Sequence, residues 1–194
     1  GVFHMVKQPV RTMADLKGLK LRAPTRQTNK FLAALGATPV AMPVPQVGEA
    51  LAKGVIDGAV VPYEVVPSVK IQELVKFHSE TDPSEPAFYT SVFIFAMNQK
   101  KYDSLPADLK KVIDANSGQA FSGQIGKVFL EADGEGKKLA SKNTFNVIPK
   151  AELENWKKAG QPLIDAWVAE VTAKGANGKQ LLDGARALIA KHSA

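Results

Sequence analysis

The chain has 194 residues, with 25 Lys and Arg against 19 Asp and Glu, a net charge of +6 and 45% hydrophobic residues. That length fits one or two modest domains with a real core. The absence of Cys excludes a disulfide framework, a thiolate metal site and a Cys nucleophile. The basic residues include only Arg11, Arg22, Arg26 and Arg186 as arginines, and the lysines are scattered among acids. This is the pattern of a solvated basic surface, and no nucleic-acid partner is expected. No apolar run approaches the ~20 residues of a membrane helix; the longest, near 92–97, is strand-sized. The chain opens at Gly1 without an initiator Met, basic region or apolar region, so a secretory signal is expected to be absent or already removed.

In chain order, residues 2–6 predict a strand closed by Pro9. Thr12 and Asp15 have capping-box spacing ahead of a short turn that stops at Gly18. Residues 19–23 predict a strand ending at Pro24, and 25–35 a helix with Phe31, Leu32 and Leu35 on one face. A short strand at 39–42, a helix at 46–53 stopped by Gly54, and a strand at 58–61 ended by Pro62 follow. This alternation implies an α/β fold with a mainly parallel, twisted sheet flanked by helices. Further strands are expected at 74–79 and 88–97, on either side of a Pro-containing loop at 81–86. Leu105-Pro106 opens a long helical tract from 107 to about 143, whose five glycines predict kinks or close packing. A strand at 144–148, a helix opened by Pro149, a turn at 175–178 and an amphipathic helix at 179–191 complete the chain.

Catalytic and cofactor motifs are missing. There is no GxSxG or HExxH, and Gln124 stands where a phosphate loop needs Lys. His4, His78 and His192 are far apart and lack a second ligand at helical spacing; each reads as an ordinary buried or surface histidine. No enzyme activity, metal or cofactor is expected.

Three motifs carry a resemblance. They are Asp15-Leu16-Lys17-Gly18-Leu19-Lys20-Leu21-Arg22-Ala23-Pro24, Leu35-Gly36-Ala37-Thr38-Pro39-Val40-Ala41-Met42-Pro43, and the stretch from Glu49-Ala50-Leu51 through Ile56-Asp57-Gly58 to Pro62. Together with the helix start Leu105-Pro106-Ala107-Asp108-Leu109, they resemble the DctP family, the solute-binding proteins of TRAP transporters. The resemblance implies a two-lobed periplasmic protein that traps a small organic carboxylate between its lobes and hands it to membrane subunits of the transporter. It also implies that most of the first lobe lies outside this chain. Residues 1–86 and 128–194 would form the second lobe, and 87–127 would cross into the first. Such a piece is expected to self-associate through the apolar side chains of 87–127.

In the family, the Arg of the first motif makes a paired salt bridge to the ligand carboxylate, which assigns that role to Arg22. The residues themselves agree: Arg22 ends a predicted parallel strand, where open α/β sheets bind ligands, and a guanidinium grips a carboxylate with two parallel hydrogen bonds. The chain departs from the family at Val61, where many members have a carboxylate-binding Asn, and at Val2, where some have a second Arg. His4 lies two residues on, facing the same side. Fewer polar contacts suit an aromatic or branched monocarboxylate against Val44, Val61, Tyr63 and Phe88. Met42, Thr25 and Tyr89 complete the candidate lining. Two other readings are the effector-binding domain of a transcription regulator and an enzyme of related fold.

Overall fold

Six short stretches become the strands of one sheet, and Pro62 and Pro149 stop two of them directly. The computed structural model describes residues 1–192. Its strands are β1 (Val2–Met5), β2 (Lys20–Arg22), β3 (Thr38–Val40), β4 (Gly58–Val61), β5 (Phe77–Thr81) and β6 (Thr144–Ile148), in the order β3-β2-β4-β1-β5-β6. β2 pairs in parallel with β3 and β4, and β5 with β6. β1 is antiparallel to both its neighbours, β4 and β5. The expected parallel trio is therefore present within a mixed sheet. Every residue of β1 and β4 is buried, as expected of central strands covered on both faces.

Side-chain alternation sends the two faces into two cores. Phe3, Met5, Leu21 and Val60 pack with Leu32 and Leu35 from α2 (Arg26–Ala34) and its C-cap, and with Leu153 and Trp156 of α8 (Lys150–Ala173). Val2, Ala59 and Val61 pack on the other side, with Val47 and Leu51 of α3 (Val47–Ala52), Ile71 of α4 (Ile71–Leu74) and Ala140. Tyr63, in a 3-10 turn, joins the second core. Gly58 allows the sheet to close: a Cβ there would sit 2.7 Å from the His4 carbonyl oxygen and 2.4 Å from the Met5 sulfur.

The N-terminal turn is capped as its spacing implies. The Asp15 carboxylate of α1 (Met13–Leu16) accepts from the backbone N–H groups of Arg11 and Thr12, each at 2.9 Å. Thr25 caps α2, its hydroxyl accepting from the Thr28 N–H at 3.1 Å. The loop at 81–86 is tied to α8 by Glu85, whose nearly buried carboxylate meets Lys150 and Lys157.

Three expectations are corrected. The strand expected at 74–79 starts later, as β5 at Phe77, because Ile71–Leu74 winds into α4 and buries Ile71. The strand expected at 88–97 does not form. Its tip is bare, with Val92 82%, Ile94 87% and Phe95 102% exposed, and no strand lies alongside to share hydrogen bonds. The helical tract from 107 is interrupted. α5 (Gln99–Asp103) precedes it, α6 (Ala107–Ala115) stops at Asn116, and α7 (Gly118–Leu139) begins again where Gly118 has φ +79°. The expected close packing occurs at Gly136, where a Cβ would lie 2.0 Å from the Tyr63 carbonyl oxygen. α9 (Gly178–His192) ends the described chain.

Candidate functional site

β2, β3 and β4 all point their carboxyl ends to one edge of the sheet, and β1, being antiparallel, starts at that edge. Arg22 is the last residue of β2, in register with Val40 on one side and Ala59 on the other. It is only 5% exposed. Its Nε donates to the Met42 carbonyl at 3.2 Å, the one hydrogen bond its side chain makes among the described residues. No carboxylate among the described residues pairs with it. Burial draws the Arg22 pKa down from its ordinary value, and the only charged-group influence opposing this is that of Tyr89. An arginine stays protonated regardless. The result is a fixed, largely desolvated cation whose terminal nitrogens are free to hold an anion, with Nε occupied in orienting the fork.

Beyond the end of β2 lies an open cavity of about 810 Å³, lined in part by Pro24, Thr25, Arg26, Lys30, Met42 and Pro43 but not by Arg22 itself. Thr25 and Met42 line that cavity, and the Met42 carbonyl also holds Arg22. Val61 is buried at the end of β4, and Val44 begins a 3-10 turn two residues beyond Met42. Tyr89 lies at the head of β1, where its carbonyl accepts from the Gly1 amine at 2.9 Å. Its hydroxyl is buried without a hydrogen-bond partner, and burial pushes its pKa up to about 12. Phe88 points elsewhere, into a core cluster with Phe3 at 4.8 Å, Phe31 at 5.2 Å and Trp156 at 5.6 Å between ring centroids.

His4 and Tyr63 are committed to an internal network that sequence reasoning missed. His4 and His78 are in register on β1 and β5, and their Nδ1 atoms lie 2.7 Å apart. The outer partners fix both tautomers. The Val61 carbonyl can only accept, so His4 Nε2, at 3.1 Å, carries a proton and His4 Nδ1 is an acceptor. His78 Nδ1 must then donate to it. That leaves His78 Nε2 to accept from the Asn143 amide at 3.1 Å. All four ring nitrogens are satisfied with both rings neutral. Desolvation lowers His4 to about 3, helped by the neighbouring His78, and lowers His78 to about 4. Tyr63 stacks edge-on to His4 at 5.3 Å and donates its hydroxyl to Glu80 at 2.5 Å; Glu80 also meets Lys137 at 2.8 Å. Burial and this bond push the Tyr63 pKa upward. The sequence signal for the pair is weak: His4 and His78 are 74 residues apart, and only strand register joins them. His192 ends α9, exposed.

Among the described residues no group of His, Asp and Glu is arranged to hold a metal ion, and no helix is long and apolar enough to cross a membrane.

The chain matches the sequence model of DctP, "Bacterial extracellular solute-binding protein, family 7", over residues 2–170. Its fold is similar to a TRAP solute-binding protein from Rhodoferax ferrireducens T118 in complex with copurified benzoate. The TM-score is 0.93 with 51% identity, covering 99% of this chain and 60% of that one. It is also similar to a marine-metagenome TRAP solute-binding protein specific for aromatic acid ligands, solved with metahydroxyphenylacetate and with 3-hydroxybenzoate. Here the TM-score is 0.92 with 40% identity, covering 100% of this chain and 61% of that one. The curated relative "Outer membrane transporter protein TsaT" of Comamonas testosteroni is 28% identical, over 98% of this chain and 56% of its own length. The chain thus spans little more than half of that relative and about 60% of the two solved neighbours.

Proposed function

Because this chain belongs to the DctP family of bacterial extracellular solute-binding proteins, we propose that it supplies the carboxylate-gripping lobe of a TRAP-transporter solute-binding protein for an aromatic monocarboxylate. The family is one of solute-binding transport proteins rather than enzymes, and the match sets the transcription-regulator reading aside. In this proposal the protein works in the periplasm and delivers its ligand to the membrane subunits of the transporter. Residues 1–86 and 128–194 form the second lobe, and 87–127 pack against the first.

The observation that carries the reading is Arg22: a buried guanidinium at the carboxyl end of a parallel strand, held by Met42, with no acid among the described residues to neutralise it. Leaving a buried charge unpaired is costly, so the site favours an anionic ligand. The apolar side chains of Val61 and Met42 nearby favour a carboxylate with few other polar groups. The benzoate and hydroxyaryl acids bound by the two solved neighbours fit that chemistry.

The test is calorimetry on the full-length protein with benzoate. Arg22→Lys keeps the charge but loses the planar fork. It should weaken binding by ~1.5–3 kcal/mol, about 10- to 150-fold. Unchanged affinity in Arg22→Lys would remove Arg22 from the ligand and overturn the reading.

A further inference from the structure

Two adjacent aromatic residues diverge at the start of the bare 88–97 segment. Phe88 enters the core beside Phe3 and Trp156. Tyr89 turns to the edge of the sheet, its ring 5.8 Å from that of Phe88 and nearly perpendicular to it. The ring lies so close over Gly1 that a Cβ there would be 1.9 Å from Tyr89 Cε1. The Tyr89 carbonyl is held by the Gly1 amine, and the next residue, Val2, is in register with Val61. Tyr89 is thus fixed beside the end of β4, on the same edge as Arg22, and the two side chains influence each other electrostatically.

Its hydroxyl is out of solvent and has no hydrogen-bond partner. Ser91 is close enough to influence it but does not meet it in hydrogen-bond geometry. A buried phenol normally finds an acceptor, and leaving one unmade is unfavourable. At the same edge β2 ends in a cation without an acid partner among the described residues, so the missing acceptor and the missing counter-ion can be one group. A carboxylate has about four lone-pair sites. The free end of the Arg22 fork fills two of them, and Val61 offers no side-chain donor.

We propose that the Tyr89 hydroxyl is the second carboxylate-recognising group of this site, donating to the same ligand carboxylate that Arg22 grips. This rests on the carboxylate reading above and adds a specificity-determining residue to it. Tyr89 does from the 88–97 segment what an amide side chain at position 61 would do from β4. Because the donor is a neutral O–H, it adds a hydrogen bond without adding charge.

The experiment is calorimetry on the full-length protein with benzoate and 3-hydroxybenzoate, comparing wild type, Tyr89→Phe and Arg22→Lys, with ligand-free thermal melts alongside. Tyr89→Phe removes one oxygen and keeps the ring. Expected is a loss of about tenfold or more in affinity, equal for both acids, with the ligand-free melt unchanged or raised because the deleted oxygen had no partner. Affinity within about twofold of wild type in Tyr89→Phe, with Arg22→Lys weakened, overturns the proposal and leaves the Arg22 reading standing. A loss confined to 3-hydroxybenzoate places the phenol on the ring hydroxyl and also overturns it. A lowered ligand-free melt makes the hydroxyl structural, with the same consequence. No effect in either variant removes both readings together.

Discussion

Acid should destabilise this fold through the His4–His78 pair, and the size of the effect follows from its geometry. Both rings are fully buried, and every nitrogen is matched only when both are neutral. A proton added to His4 Nδ1 would face the N–H of His78. Accordingly the folded-state values fall to about 3 and about 4, whereas an unfolded histidine titrates near ~6.5. Below that value the unfolded chain binds more protons, so stability is fully present above pH ~6.5 and declines as the pH falls toward the folded values. From pH ~8 to pH ~5 each ring removes about 2 kcal/mol, about 4 kcal/mol for the pair. In urea this moves the midpoint by about 2 M for a domain of ordinary cooperativity. The double variant His4→Leu/His78→Leu is less stable at neutral pH, because the Val61 carbonyl loses the His4 donor and the Asn143 amide keeps only the Gln72 and Val75 carbonyls. Its melts should nevertheless be flatter with pH, and the difference from wild type isolates the pair from the carboxylates. Equal pH dependence in both proteins would refute the buried neutral pair.

Two glycines two residues apart in α7 should respond oppositely. Gly134→Ala, with open space at its Cβ position, should stabilise by up to about 1 kcal/mol through helix propensity. Gly136→Ala, which would drive a Cβ into the Tyr63 carbonyl, should destabilise by about 1–3 kcal/mol in the same urea melts. The isolated 194-residue chain should self-associate. Val92, Phe93, Ile94 and Phe95 are exposed beside the Phe93–Phe129 stack, and a bare apolar patch recruits a partner. Multi-angle light scattering showing a strict monomer across micromolar concentrations would count against that.

The elements most legible in the sequence are those with a hard stop. β4 and β6 run to the residue before Pro62 and Pro149, because proline has no N–H to continue a ladder. The start of β5 is not legible, since Ile71, Leu74, Val75 and Phe77 offer apolar side chains equally to a helical turn and to a strand. The 88–97 stretch has strand composition and no strand, because composition reports what a segment prefers and says nothing of the neighbour it needs. Likewise the glycines of the tract from 107 announce trouble for a helix. They do not say that Gly118 breaks it while Gly136 lets it touch Tyr63.

The site divides along the same line. The position of Arg22 is readable because it depends on a local fact, the end of a strand within a motif, and the carboxylate role proposed for it rests on that position. His78 is not readable, because its role depends on the register between β1 and β5. The structure adds a criterion that no local pattern holds, namely which buried polar groups have been left without partners. His4 and His78 satisfy each other, Thr28 is paired with Thr25, and the Ser79 hydroxyl accepts from the Val10 N–H at 2.9 Å. Interiors normally pair such groups, so these carry the fold. Single atoms of Asn29, Gln72 and Asn146 are exceptions among the described residues. Arg22 departs from that rule too, with one backbone bond and no acid partner among the described residues, and so does the Tyr89 hydroxyl, with no bond. Both lie at the sheet edge where a ligand can arrive. A fold that pairs its buried histidines while leaving a cation and a phenol without partners at one edge is what the proposed carboxylate site requires.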